Sequence, residues 1–347
     1  MFNERIPTYF VIIGALAGGV ISYFAFNRHS GIFMTAAGAP TITVATNKSS
    51  DTEGENCSYK TVRLKSGSFT KRLLFAEPAC ESDNFTSLKS DIENIVDNYK
   101  KTGEVSSVSV YLRDLTEGTW MSYEPFETYN PGSLAKVPLM MSYLMRAKTD
   151  KNLLSKEIVC PNHLIGIPAQ TYPTQTIQAG HKYTIKELLY YMIAYSDNHA
   201  TALLNEGVDY ASFKKVFTDL GIPDNVNEPG YQITAKDYSE FFVVLYNATY
   251  LSMSQSEFAD SLLSQCNFKQ GMLKDIPPNI RVAHKFGEWS DFKSNVHQLH
   301  ESGIVYLNDK PYLLTIMTTG SDVSQLTEVI STVSKMVYNK MAASNSY

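Results

Sequence analysis

The chain has 347 residues, 44% of them hydrophobic, enough for one large domain with a substantial buried core plus short appendages. Its formal charge of −5 comes without a basic cluster, which argues against nucleic acid as a partner. Four cysteines, Cys57, Cys80, Cys160 and Cys266, show no C-x-x-C spacing, so zinc is not suggested.

From Thr8 to Phe26 the chain runs uncharged and apolar, and at 1.5 Å per residue it nearly crosses a hydrocarbon layer about 30 Å thick. Residues 1–31 are therefore expected to form an uncleaved, single-pass membrane anchor with short flanks. A cleaved secretory signal competes, but the small-residue site Ala37-Gly38-Ala39 lies well past the apolar run and precedes Pro40. Arg5 on one flank and Arg28 with His29 on the other do not decide orientation. Residues 32–83 read as a tether and a small pre-domain segment, because Thr35 to Asn56 is rich in Ala, Gly, Thr, Ser and Asn. If the bulk of the chain lies outside the cytoplasm, the cysteines can pair. Cys57 with Cys80 is then the favoured bridge, since both sit in a segment with little core of its own.

The folded domain is expected over residues 84–347. Phe85, Leu88, Ile92, Ile95, Val96 and Tyr99 recur at helical spacing and predict an amphipathic helix from Asn84 to Lys101. Strands follow at Ser107 to Leu112 and about Thr119 to Tyr123, joined through the turn-forming Thr116-Glu117-Gly118. Between Pro131 and about Tyr250 helical patterns dominate, including a capping-box start at Thr184-Ile185-Lys186-Glu187. Strand composition returns at Arg281 to Trp289, Gly303 to Leu307 and Tyr312 to Met317, and a last helix runs from about Val323 to Met341. Strands drawn from both ends around a helical block predict an antiparallel sheet carrying terminal helices, a mostly α second lobe, and a cleft between the two.

Three short segments carry chemistry. Ser133 begins an apolar helical segment, and Lys136 lies one turn on along the same face, where an apolar wall lowers an amine's pKa until it can accept the serine proton. Ser196-Asp197-Asn198 follows the helix that ends at Tyr195; Ser196 can relay a proton to a leaving nitrogen and Asn198 can hold a substrate carbonyl. Lys285-Phe286-Gly287 sits in a strand, where Lys285 offers a cation near a carboxylate and Gly287 lets a substrate backbone approach. The N–H of Glu288 can complete an oxyanion hole with that of Ser133. Taken singly, each segment also reads as a plain cap, a turn and a strand.

Together and in this order they resemble the S-x-x-K, S-D-N and K-T-G set of class A β-lactamases and the related penicillin-binding D,D-peptidases. The context is similar as well, in Tyr129-Asn130-Pro131-Gly132 before Ser133, His199-Ala200-Thr201 after Asn198, and His300-Glu301-Ser302-Gly303-Ile304-Val305-Tyr306. The resemblance spans roughly Asn84 to the C-terminus. It implies an α/β (α+β) fold of β-lactamase/transpeptidase type, with a five-stranded antiparallel sheet flanked by helices and an all-α lobe. It also implies Ser133 attacking the carbonyl of a β-lactam or a D-alanyl amide. No cofactor or metal is implied, and a monomer is expected, with its catalytic domain outside the cytoplasm.

Two departures bear on function. Phe286 stands where the family has a threonine or serine, so a hydroxyl used toward the substrate carboxylate is missing. The family's water-activating glutamate in an E-P-x-x-N setting finds its nearest match in Glu228-Pro229-Gly230-Tyr231-Gln232, on a loop that looks shortened. Glu228 is thus the candidate deacylation base, and without it a β-lactam adduct would persist, as in penicillin-binding peptidases. A non-hydrolytic sensor or cell-wall-binding module that keeps the fold is the reading from another class. His297 and His300, three apart on a strand, fall on opposite faces and are read as structural.

Overall fold

The computed structural model describes residues 57–64, 70–162, 172, 175–226, 228–308 and 310–343. At its centre lies an antiparallel sheet in the order β4-β3-β11-β10-β9. The front of the domain contributes β3 (Val105–Asp114) and β4 (Trp120–Tyr123), and the back contributes β9 (Arg281–Asp291), β10 (Val296–Tyr306) and β11 (Tyr312–Gly320). The two halves meet where Tyr312 pairs with Asp114 and Ile316 with Val110. β9 forms one edge, so one side of its backbone ladder faces the helical lobe instead of another strand.

One face of the sheet is covered by α1 (Thr86–Lys101) and α8 (Val323–Ala343). Leu88, Ile92 and Val96 on α1, and Leu326, Val329, Ile330, Val333 and Val337 on α8, recur at helical spacing and are buried against Val108, Val110 and Ile316. The other face carries α6 (Ala235–Tyr246), which leads into the lobe built from α2 (Lys136–Arg146), α3 (Ile185–Ala194), α4 (Asn198–Gly207), α5 (Tyr210–Leu220) and α7 (Met253–Leu263). Its core holds Val137, Met140, Met141, Leu188, Leu189, Met192, Phe241 and Phe242. Small two-stranded ladders join β5 (Thr128–Tyr129) to β8 (Ile233–Thr234) and β6 (Glu157–Val159) to β7 (Lys182–Thr184).

The expected capping box at Thr184 and Glu187 is present and starts α3. The helical block extends past Tyr250, because Ser252 and Gln255 form a second capping box that starts α7. β10 is longer than its apolar composition suggests. Its first half carries His297, Gln298, His300 and Glu301, which break the alternation, and of these His300 and Glu301 are fully buried.

The segment before residue 84 belongs to the domain. β1 (Tyr59–Arg63) and β2 (Leu73–Pro78) form an antiparallel hairpin, and the Cys57–Cys80 disulfide joins its open end across a Cα–Cα distance of 5.8 Å. Leu74 and Phe75 are buried in the main core, and Glu77, 1% exposed, accepts from Arg113 Nη1 at 3.0 Å. A glutamate at a buried strand position reads as solvent-facing until its arginine, 36 residues away, is placed beside it. Among the described residues no helix is long and apolar enough to cross a membrane; the apolar run Thr8 to Phe26 lies outside them.

Candidate active site

Ser133 sits in a 3-10 turn, Gly132–Ala135, that runs directly into α2, and it retains 8% exposure. The turn is pressed against the β9 edge. Gly132 has φ +51°, and a Cβ there would overlap the carbonyl of Glu288. A Cβ on Gly287 would lie 2.5 Å from Pro131 O and 2.9 Å from Leu134 N. The two glycines therefore bring the Glu288 backbone alongside the residues flanking Ser133. Tyr238 fixes the turn from the lobe side, donating to Leu134 O at 2.9 Å.

From below, Asn130 steadies the approach: its side-chain oxygen accepts from Gly132 N at 3.0 Å, and its own N–H donates to Gln298 Oε1 at 2.9 Å. His300 Nδ1 accepts from Thr318 N at 3.2 Å, which leaves Nε2 carrying the proton it donates to Asn130 O at 3.0 Å. Burial pushes His300 down to about 4, so the ring stays neutral and acts as a strut.

Lys136 is fully buried, and its Nζ donates to Ser196 O, to Ser196 Oγ at 3.1 Å and to Asn198 Oδ1 at 2.9 Å. Lys285, also fully buried, reaches the same hydroxyl from β9 at 2.8 Å and donates to Phe286 O at 2.8 Å. Ser196 thus lies between two lysine amines. Its backbone is in the left-handed region at φ 53°, a strained conformation held by Asp197 N, which donates to Tyr191 O at 3.1 Å. Asp197 in turn caps α4, accepting from His199 N at 2.9 Å, Thr176 Oγ1 at 2.8 Å and Ile177 N at 2.9 Å.

Desolvation, reinforced by the nearby charge of Lys285, holds the Lys136 amine well below the ordinary lysine range. Desolvation also lowers Lys285, to about 8, with the negative groups Cys266, Glu288 and Glu301 opposing the fall. The arrangement provides a buried amine of lowered basicity one turn from a reachable serine, a hydroxyl shared with a second lysine, and a strand-edge N–H beside Ser133.

The structure thus gathers Lys136, Ser196, Asn198 and Lys285 by hydrogen bonds and sets Ser133, Gly287 and Glu288 against one another through backbone packing. It does not bring Glu228 into this group. Glu228 lies on an exposed turn after α5, where its carboxylate accepts from Asn225 Nδ2 at 3.3 Å, and among the described residues no contact joins it to Ser133 or either lysine. Phe286 is 2% exposed, stacked on Phe268 at 4.6 Å and edge-on to Tyr172 at 5.8 Å, so it fills core space where a hydroxyl was expected. Tyr238, Asn130 and Gln298 carry no local sequence signal, because their partners lie between 104 and 168 residues away or act through the backbone.

A two-lobed domain with a serine–lysine pair at the head of a helix and a second lysine on the sheet edge is a serine hydrolase of the acyl-enzyme class. The chain belongs to the beta-lactamase enzyme family, whose profile matches residues 87–341. Among solved structures it is similar to TLA-1 extended-spectrum beta-lactamase, at 16% identity over 75% of this chain and 100% of that one, with a TM-score of 0.65. It is also similar to a class A beta-lactamase from Bacteroides cellulosilyticus DSM 14838, at 16% identity, 74% and 99% coverage and a TM-score of 0.63. PBP-A matches at 18% identity, 73% and 95% coverage and a TM-score of 0.59. At these identities the likeness shows the fold. No curated protein matches the chain.

Proposed function

We propose that Ser133 is acylated by a β-lactam or a D-alanyl peptide amide. Neutral Lys136 takes the Ser133 proton as Oγ bonds to the carbonyl carbon. The N–H groups of Ser133 and Glu288 hold the oxyanion, and Ser196 passes a proton to the nitrogen as the C–N bond breaks. Asn198 and Lys285 contact the substrate. The observation that carries this reading is the Ser196 hydroxyl placed at 3.1 Å from Lys136 Nζ and 2.8 Å from Lys285 Nζ, both amines fully buried. Water then releases the acid, as in a β-lactamase.

A second reading, a D,D-peptidase that retains its β-lactam adduct, is favoured by one observation: Glu228 stands exposed and engaged with Asn225 instead of beside Ser133. We further propose that the domain works outside the cytoplasm as a monomer tethered by the Thr8 to Phe26 segment. The Cys57–Cys80 bridge, which suits an oxidising compartment, supports this placement.

Intact-mass measurement after penicillin exposure tests the chemistry. A penicilloyl adduct on Ser133 that is absent from Ser133→Ala is expected; rapid loss of the adduct marks a β-lactamase and persistence marks the peptidase. Undiminished capture by Ser133→Ala refutes the assignment, and a well-folded wild type that never labels points to a non-hydrolytic binding module.

A further inference from the structure

β10 lies beside the β9 edge that carries Glu288, and its register places three consecutive residues next to the Ser133 turn. Gln298 pairs with Trp289, Leu299 with Glu288 and His300 with Gly287. Residues two apart on a strand share a face, so Gln298 and His300 point to one side of the sheet and flank Leu299 along the strand. Cross-strand partners share a face as well, which puts His300 on the side where Gly287 has no side chain. Pro131 O and Leu134 N occupy that space, 2.5 and 2.9 Å from where a Cβ on Gly287 would be. The turn therefore rests on the Gly287–His300 pair.

Both β10 side chains end on one residue. Gln298 Oε1 accepts from Asn130 N at 2.9 Å and His300 Nε2 donates to Asn130 O at 3.0 Å, so each backbone polar group of Asn130 is bonded to a β10 side chain. The Asn130 side chain passes the constraint on, since its Oδ1 accepts from Gly132 N at 3.0 Å. His300 is itself held from two sides. Its Nδ1 accepts from Thr318 N on β11 at 3.2 Å, and Tyr129 packs edge-on to the ring at 5.3 Å, with the Tyr129 hydroxyl bonded to Ser107 Oγ at 2.7 Å and Ser109 Oγ at 3.0 Å. His300 is 0% and Gln298 9% exposed, so letting go of Asn130 would leave buried groups unpaired. Packing alone does not require this arrangement, because apolar side chains fill a buried sheet face without needing polar partners.

We propose that Gln298 and His300 are positioning residues that gauge the oxyanion hole, setting the Ser133 N–H against the Glu288 N–H by way of Asn130. The inference rests on the proposed acylation and deepens it. One donor, the Glu288 N–H, lies on β9 beside Leu299. The other, the Ser133 N–H, follows Gly132, which is tied to Asn130, and Asn130 is bonded to the residues on either side of Leu299. Two donors from distant parts of the chain are thus referenced to three consecutive residues of one strand. Such a hole works when its donors sit where the charge develops, and a displacement of about 1 Å costs up to about a hundredfold in rate. Gln298 and His300 act through Asn130 and its turn.

The test separates the two ends of the imidazole. His300→Asn keeps an acceptor near the Nδ1 position for Thr318 N and loses the donor to Asn130, whereas His300→Gln keeps a donor near the Nε2 position and loses the acceptor. Stopped-flow acylation by penicillin separates the binding constant from the acylation rate, and NMR reads exchange of the Gly132 amide in the unliganded protein. His300→Asn is expected to slow acylation about tenfold or more at an unchanged binding constant and to speed Gly132 exchange about tenfold, and His300→Gln to recover most of both losses. Gln298→Met and Gln298→Glu form a second pair, the first losing and the second keeping the acceptor for Asn130 N, and they decide the matter if a His300 variant fails to fold. Acylation and exchange that are equal within each pair, or that follow thermal stability alone, overturn the inference. Folded wild-type protein that never forms a penicillin adduct refutes the acylation reading instead, and the Gly132 exchange rates then decide the role of Gln298 and His300 in placing the turn.

Discussion

Arg113→Met would strand a carboxylate between the N-terminal hairpin and the central sheet. Glu77 and Arg113 have side chains 2% and 5% exposed and meet at 3.0 Å, and Arg113 Nη2 also donates to Ala76 O at 2.9 Å. Removing one partner of such a pair costs about 3–5 kcal/mol, because the remaining charge stays buried. Two lysines soften the loss: Lys236 at 3.3 Å and Lys60 at 3.9 Å, with side chains 25% and 49% exposed. About 3 kcal/mol is therefore expected, the low end of that range. At a urea m-value of about 3 kcal/mol/M this lowers the unfolding midpoint by about 1 M at constant m. Trp120 reports on the same place, since its Nε1 donates to Pro78 O at 2.7 Å and Lys236 stacks over its ring, so its fluorescence in a Trp289→Phe background should follow the transition. The double variant Glu77→Leu/Arg113→Met should regain most of the lost stability, because no buried carboxylate is left unpaired: Lys60 keeps Glu240, and Lys236, which loses its partner, has a side chain 25% exposed. A loss below about 1 kcal/mol in Arg113→Met would refute the claim that this pair docks the hairpin.

Glu240 responds to pH. Burial, with Lys60 at 3.1 Å opposing, raises its carboxyl to about 7 against an ordinary 4.5. Because the folded state holds this proton more tightly, the associated stability is fully present below about pH 4.5 and is lost as pH rises through about 7. Asp260, raised to about 7 by burial, acts in the same direction. The thermal midpoint should fall between about pH 5 and pH 8, and Glu240→Gln should flatten that fall; an unchanged slope counts against the assignment. Gly132→Ala should destabilise the fold by about 2 kcal/mol and slow penicillin capture at least about tenfold, since it combines a positive φ with overlap on the Glu288 carbonyl. Wild-type capture rates in this variant would mean that the turn does not need that close approach.

The motifs were legible in the chain because each is local. Ser133 and Lys136 share one helical turn, Ser196-Asp197-Asn198 follows a helix end, and Lys285 to Glu288 are consecutive on one strand. Periodicity likewise disclosed α1, α8 and the strands with apolar faces, since burial of one face imprints spacing of 3.6 or 2 on nearby residues. What spacing cannot encode is which distant polar group neutralises another. The polar first half of β10, the docking of Glu77 on Arg113, the Tyr238 clasp and the buried His284–Glu301 pair each depend on partners brought together by the tertiary fold.

By itself the amino-acid order determined the architecture and singled out Ser133, Lys136 and Lys285, because helical and strand periods and short motifs are properties of neighbouring residues. Only the folded chain decided that Glu228 stays on the surface, that Phe286 turns into the core, and that the two lysines meet on one buried hydroxyl. Burial and charge pairing depend on distance in space, and sequence separation does not set that distance.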